Sequence, residues 1–452
     1  MTESYLKSIS PDSLTGMIFA LEGVRKTVVL LNGPMGCRFY HSTTSQFITV
    51  HPTLYLPLEE GGKRVPVDYS FLNDWFFRQE RVPSTYLDGY DYVYGTKEKV
   101  AAALSYINGC VDFDLLAIVN SPGAALIGDN LLEVARSILG EKRAVMLESP
   151  GYSGSFESGY SEALLGLLRQ VGPALWENRL PKEPPIKLHK APSDPEAHSA
   201  TVAEFSGFEA PTSPEGGQMR HGKSVNVLGL SIWQRYHEGD LGELRRLFSL
   251  CGIRLNACPC ADSPIEEIAI LPDADLNLVL YPEMGEEAAK YLQGACGTPY
   301  FICPNLPIGF SATENLFEAL CEMLGASSEA LAIESERARA LAWYKIRQVS
   351  SASGKPKGVR FHVHGNATQV KSYEAFLSDY LGMIPANPDS AELVFADANL
   401  ISELMLKKKT FCGIEINLPG IGYIDLVPKT HLGLNGALFL IEQVLNGLMS
   451  RL

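Results

Sequence analysis

The chain has 452 residues, 46% of them hydrophobic and 20% charged, with a formal net charge of -14 and nine cysteines. That length exceeds what one hydrophobic core organises, so two or three domains are expected, with the residue balance of a soluble globular protein. The acidic charge argues against nucleic acid as a partner, and no apolar run reaches the length of a membrane span. Met1-Thr2-Glu3-Ser4-Tyr5 opens no basic-then-apolar signal segment, so a cytoplasmic location is expected. In that compartment the cysteines read as thiols or metal ligands, not as a disulfide framework.

In chain order, strands are expected at 27–31, 115–120, 144–148, 225–230, 253–257, 276–281, 300–303, 359–364, 393–396 and 411–416. Several are continuous apolar runs, the pattern of strands covered on both faces. Helices are expected between them at 97–107, 130–139, 161–171, 241–251, 286–296, 313–324 and 373–381, with a closing helix from 434. Alternating βα units predict an α/β fold of three doubly wound, Rossmann-like parallel-sheet domains around a central cleft. The expected boundaries are 1–175, 223–335 and 355–452, with a connecting helix at 336–354. Between the first two lies a Pro-rich excursion at 176–222, whose proline density blocks regular pairing.

Ligands of open α/β sheets sit beyond the carboxyl ends of the strands, so the residues following each strand are the candidates. The first strand ends in Gly33-Pro34-Met35-Gly36-Cys37, a tight turn whose glycines permit close approach and whose proline fixes the path of Cys37. Cys37 reads either as a presented ligand or as a half-buried cysteine after a strand. Ser121 follows the second strand. Trp233, His237, Tyr281 and Asn305 follow strands of the second domain, and His364 and Asn366 follow one of the third. Cys258-Pro259-Cys260 is expected at the mouth of the interdomain cleft, where Cys303 could join it as a second metal or redox site; incidental cysteines in an exposed loop are the other reading. Cys251, Cys296, Cys321 and Cys412 read as core packing, and His362 as an interior histidine.

Taken together, these segments resemble nitrogenase component 1 and its relatives, which include assembly scaffolds and the dark-operative protochlorophyllide reductases. The resemblance rests on Leu14-Thr15-Gly16, Gly33-Pro34-Met35-Gly36-Cys37, Val93-Tyr94-Gly95, Leu126-Ile127-Gly128-Asp129-Asn130 and Ser149-Pro150-Gly151-Tyr152. Further along it includes Leu306-Pro307-Ile308-Gly309-Phe310 and Gly433-Leu434-Asn435-Gly436-Ala437. It implies an oligomer with a second component 1-type subunit or a second copy of the chain. It also implies an interfacial iron-sulfur cluster, 4Fe-4S in type, reduced by an ATP-dependent iron protein, with Cys37 in the place of a cluster ligand. Departures narrow this expectation. Arg81-Val82-Pro83-Ser84 and Asn120-Ser121-Pro122 hold no cysteine where full-set members carry one, so one chain supplies one thiolate. Tyr281-Pro282-Glu283 replaces a cofactor-binding cysteine, and spacing places Tyr423 where a histidine would approach, so a dinitrogen-reducing molybdenum-cofactor subunit is not expected. The resulting expectation is a subunit of a nitrogenase-like reductase. The alternatives are an assembly scaffold without turnover and a cluster-free partner.

Overall fold

The computed structural model describes residues 11–38, 82–148, 154–177, 223–407, 410–420 and 425–449. The expected Pro-rich excursion, apart from its first two residues, and Tyr423 lie outside these. The described strands form three sheets, all of whose paired strands run parallel.

The first sheet orders β1 (Thr27–Asn32), β2 (Leu115–Asn120) and β3 (Arg143–Glu148) side by side. Every residue of β1 and β2 is buried, as their unbroken apolar runs require, whereas β3 is the exposed edge. Helices α1 (Ser13–Glu22), α2 (Gly89–Tyr94), α3 (Lys97–Cys110), α4 (Pro122–Ala125), α5 (Leu131–Leu139) and α6 (Phe156–Trp176) accompany it. α6 starts five residues before the expected helix, capped by Ser155, and runs on through Pro173 to Trp176, whose indole N–H donates to Ile268 O (2.7 Å). It crosses α1 at glycines. A β-carbon on Gly16 would lie 1.9 Å from Phe156 O, and one on Gly159 would lie 1.8 Å from Ser13 O.

The second sheet has the order β5 (Arg254–Ala257), β4 (Ser224–Leu228), β6 (Leu276–Val279), β7 (Tyr300–Ile302). Its helices are α7 (His237–Leu250), α8 (Glu266–Ile270), α9 (Pro282–Cys296) and α10 (Phe310–Leu324). The third sheet repeats that winding as β9 (Ile384–Pro385), β8 (Arg360–Val363), β10 (Leu393–Ala396), β11 (Cys412–Glu415). The long α11 (Glu329–Ser353) leads into it, and α12 (Ala367–Ala375) and α13 (Ala398–Leu406) follow β8 and β10. The closing α14 (Gly433–Met449) packs on α7, α10 and α11 as well as on β11, so it joins the second and third sheets. The helix expected at 373–381 instead begins at Ala367, because Asn366 and Gln369 form a reciprocal capping box, and it continues as a π-helical turn over Phe376–Tyr380.

In both four-stranded sheets the winding reverses beside the first strand, opening a crevice between β4 and β6 and another between β8 and β10. Single bridges between Gln234 and Asn417 and between Ile308 and Gly433 tie the two units together, and a bridge from Val24 to Ser263 ties the first unit to the second.

Candidate functional site

Two places gather the candidate residues. The first is the end of β1. The turn after it is a short 3-10 helix, Met35–Arg38, closed by the Cys37 N–H donating to Pro34 O (3.2 Å). Its floor is a buried polar cradle. Asn32 donates to Asn120 Oδ1 (2.9 Å) and Thr96 Oγ1 (3.2 Å), and Asn32 Oδ1 accepts from the Thr85 hydroxyl (2.9 Å). Segment 83–87 runs parallel to the strand end through Leu31, Thr85 and Leu87 backbone hydrogen bonds, and the Ser84 hydroxyl donates to Gly33 O (3.0 Å). Ser121, from the turn after β2, closes the other side. A β-carbon on Gly33 would lie 2.8 Å from Ser121 Oγ and 3.8 Å from Cys37 Cβ.

The two segments where cysteines were absent therefore meet the Cys37 turn and present serines, Ser84 and Ser121. Tyr92, which the sequence did not single out, packs on the Ser121 turn, its hydroxyl oxygen 3.1 Å from where a Gly123 β-carbon would lie, and stands near Cys37. Gly36 differs from Gly33 in having nothing among the described residues within 4 Å of a β-carbon position. The Cys37 side chain is half-buried against the core. On α2 and just after α4, Tyr90 (67% exposed), Tyr94 (71%) and Leu126 (90%) are exposed apolar groups.

The second place lies between the second and third sheets, where the two crevices face one another. Gly229 adopts φ 89° after β4, and a β-carbon there would meet Tyr281 O at 2.6 Å, so glycine lets the two loops touch. Glu283 at the start of α9 accepts from the Thr368 N–H (2.9 Å) and hydroxyl (2.8 Å) at the start of α12. Gln369 and Asn417 exchange both amide hydrogen bonds (2.8 and 3.0 Å). Tyr281 is buried beside Gln369 and Cys303, and burial, with the carboxyls of Asp240 and Glu283, holds its hydroxyl far above the usual range. Asn366 caps α12, while His364 sits exposed at the end of β8, with its backbone N–H on Phe395 O (2.7 Å). Among the described residues, Asn305 Oδ1 and Gln234 Nε2 are buried with no hydrogen-bond partner, the kind of polar atom that a bound group satisfies. His237 is half-buried at the start of α7, its Nδ1 on Gln234 O (3.1 Å), and burial lowers its pKa.

The remaining candidates sit elsewhere than expected. Trp233 does not line the crevice: it is packed edge-on to Phe19 (5.3 Å) and against Phe156 (4.5 Å), where α1 and α6 meet the second unit. Cys258 and Cys260 lie not at the mouth of the cleft but in the seam between the first two units, 1% and 0% exposed. The Cys258 N–H donates to Glu267 Oε2 (2.7 Å), the Cys260 N–H to Ser263 Oγ (3.1 Å), and Cys260 O accepts from the Tyr160 hydroxyl (3.3 Å). Burial pushes Cys258 far above the usual thiol range and Cys260 up to about 12. Cys303 is buried too, its thiol donating to Asn305 O (2.7 Å) and pushed up to about 12. Among the described residues no group of three or more His, Cys, Asp or Glu comes together to hold a metal.

Sequence comparison gives this geometry its relatives. The family model of nitrogenase component 1 type oxidoreductases matches residues 13–388. The chain belongs to that family. Within the nitrogenase component 1 type oxidoreductases it is similar to a light-independent protochlorophyllide reductase subunit of Synechococcus sp. (strain WH7803), 27% identical over 329 residues, 73% of this chain and 53% of that protein. The corresponding subunit of Methylocella silvestris is 33% identical over 174 residues, 38% of this chain and 33% of the relative. The chain thus spans about half of the first relative's length or less. Among solved structures, nitrogenase Cp1 at pH 6.5 superposes with a TM-score of 0.67 at 16% identity, covering 98% of this chain and 93% of that one, which shows the shared fold. No helix among the described residues is long and apolar enough to cross a membrane.

Proposed function

We propose that the chain is one subunit of a nitrogenase-like reductase, in which Cys37 ligates an iron-sulfur cluster completed by a second component 1-type chain. The observation that carries this reading is the convergence of the Cys37, Ser84 and Ser121 segments at the end of β1. A single thiol with two hydroxyls fits the border of a shared cluster and does not fit a self-contained one, since iron-sulfur clusters are held by several thiolates. Exposed Tyr90, Tyr94 and Leu126 on the elements that follow supply an apolar surface for the second chain.

In this reading Cys37 is the ligand, the hydroxyls of Ser121 and Tyr92 supply polar contacts beside it, and the Asn32–Asn120–Thr96 cradle holds the turn in place. When bound, the cluster supplies one-electron transfer, and the electrons originate in an ATP-dependent iron protein. The crevice between the second and third sheets is the site for the group to be reduced. Asn305 Oδ1 and Gln234 Nε2, unpaired among the described residues, are its polar contacts in this reading, and Tyr281, Asn366 and His364 come from the segments that follow strands of the two sheets. The relatives named as protochlorophyllide reductase subunits support the class of reaction, reduction of a bound organic or metal-containing group.

Anaerobic purification with the second chain, followed by iron analysis and electron paramagnetic resonance of parent and Cys37→Ala, tests the assignment. Loss of cluster iron in Cys37→Ala with an intact complex is expected. Full retention of iron removes Cys37 as a ligand, and absence of iron from the parent complex removes the cluster. ATP-dependent reduction by a cognate iron protein separates a reductase from an assembly scaffold.

A further inference from the structure

The long α11 carries two seams. Its inner seam, Leu331, Ser335, Ala338 and Ala342, is buried, and Ile346 and Val349 continue that line against the core. On the flanks, Glu334 and Arg339 are engaged by Arg246 of α7 and Glu314 of α10. The outer seam runs Ile333, Glu336, Ala340, Trp343, Arg347, Ser350, in alternating steps of three and four residues that keep side chains in line along a helix. All of these but half-buried Ser350 are exposed. Ile333 is 51% exposed, Trp343 58%, and Tyr344 beside the seam 60%. The Arg347 guanidinium lies over the Trp343 ring, 5.0 Å from its centroid. Trp, Tyr and Arg together on one solvent-facing strip are the composition of an interface, not of a solvated helix face.

The outer seam complements itself in one direction. Its acid, Glu336, lies in the first half and its base, Arg347, in the second. A two-fold axis crossing the helix between residues 341 and 342 sets a second α11 antiparallel to the first. Glu336 then faces Arg347 of the partner subunit, Ala340 faces Trp343 of the partner subunit, and Ile333 faces Ser350 of the partner subunit. Opposite charges meet, and the largest ring falls on the smallest side chain of the seam. A hollow of about 370 Å³, lined by Trp343, Ile346, Arg347, Ser350 and Ser351, lies where Ile333 of the partner subunit arrives. A parallel pair in register would set Glu336 on Glu336, Trp343 on Trp343 and Arg347 on Arg347, and like charges in juxtaposition oppose association.

We infer that the outer seam of α11 docks on α11 of a second copy of this chain, as an antiparallel, isologous helix pair. α11 packs on α7, α10 and α14, which belong to the second and third units, whereas Cys37 follows the first strand of the first sheet. The pair is therefore an interface separate from the one at Cys37, and it does not rest on the cluster assignment.

Sedimentation velocity on the full chain, over a concentration series in the micromolar range, tests the pair. The parent should self-associate reversibly. Glu336→Arg should raise the dissociation constant about 10- to 100-fold, and so should Arg347→Glu, because each sets like charges against one another at two places. The double variant Glu336→Arg/Arg347→Glu restores opposite charges at both places and should recover most of the association. Both positions are exposed, and unchanged circular dichroism confirms folding of each variant. A parent that stays monomeric across the series would overturn the proposal, as would an assembly whose dissociation constant neither single reversal moves, the result expected if the copies meet only near Cys37. Weakening by both single reversals without recovery in the double variant would overturn the antiparallel register.

Discussion

Ser121 stands directly against the α-carbon of Gly33: a β-carbon at Gly33 would lie 2.8 Å from both Cβ and Oγ of Ser121. Strand end and neighbouring turn are thus in contact through a missing side chain. Because Ser121 also caps α4, it has little freedom to retreat. Gly33→Ala should destabilise the chain by about 1–3 kcal/mol, the usual cost of inserting a methyl group into packed space. Urea unfolding measures it. Ser121→Gly in the same chain should recover most of the loss, since it removes both colliding atoms; an additive double-mutant cycle would show that the two residues do not interact.

A buried acid and a buried base at the junction of α7 and α14 set opposing pH dependences. Asp240 accepts from the Thr430 hydroxyl (2.7 Å) and the His431 N–H (3.0 Å), yet burial raises it from 3.8 to about 6. The native state therefore holds the Asp240 proton more tightly than the unfolded chain, and this contribution is full below 3.8 and is lost as pH rises to about 6. His431, between the Tyr373 hydroxyl (2.6 Å) and Gln443 Oε1 (2.6 Å), is lowered by burial from 6.5 to about 4. Its unfolded form binds the proton first, so its contribution is present above 6.5 and is lost as pH falls to about 4. Each shift corresponds to roughly 3 kcal/mol, and between pH 4 and 6 the two slopes largely cancel. Asp240→Asn should expose the histidine slope alone, with unfolding free energy rising by about 3 kcal/mol between pH 4 and 6.5. A variant as flat as the parent in denaturant titrations at several pH values would refute this.

The strands were legible because burial on both faces writes itself as an unbroken apolar run: Leu115–Asn120 and Leu393–Ala396 coincide with their expected spans. α13 was overlooked although its signal is present, Asp397 capping the Asn399 and Leu400 N–H groups ahead of buried Ile401 and Leu404. The site was legible only where it depends on chain-local features. The Cys37 turn follows from its own glycines and proline. The fate of Cys258 and Cys260 depends on α1 and α6 arriving from another unit, with Gly23 so close to Cys260 O that a β-carbon would lie 2.1 Å away, and no local pattern encodes that contact. Trp233 misled for the same reason, since its partners are more than 70 positions distant in sequence.

Glu283 links the second unit to the third through Thr368. Glu283→Ala leaves the Thr368 N–H and hydroxyl at the start of α12 without their acceptor, which should cost about 1–3 kcal/mol. Glu283→Gln keeps an acceptor oxygen and should cost less. Amide hydrogen exchange at Thr368 should accelerate in Glu283→Ala while exchange in β1 and β2 stays unchanged. Equal protection of Thr368 in the variant and the parent would show that the contact does not hold the units together.

Trp233 separates packing from ligand binding. Its ring fills the space between Phe19 and Phe156 at the meeting of the first and second units, and it is 8% exposed. Trp233→Ala should therefore cost about 3–5 kcal/mol in unfolding free energy, the range for emptying a buried aromatic site. Trp233→Phe should recover part of that by restoring ring contact with both neighbours. If instead Trp233→Ala left the denaturant midpoint in place and changed only what the crevice binds, the aromatic cluster would be a ligand wall, contrary to the packing seen here.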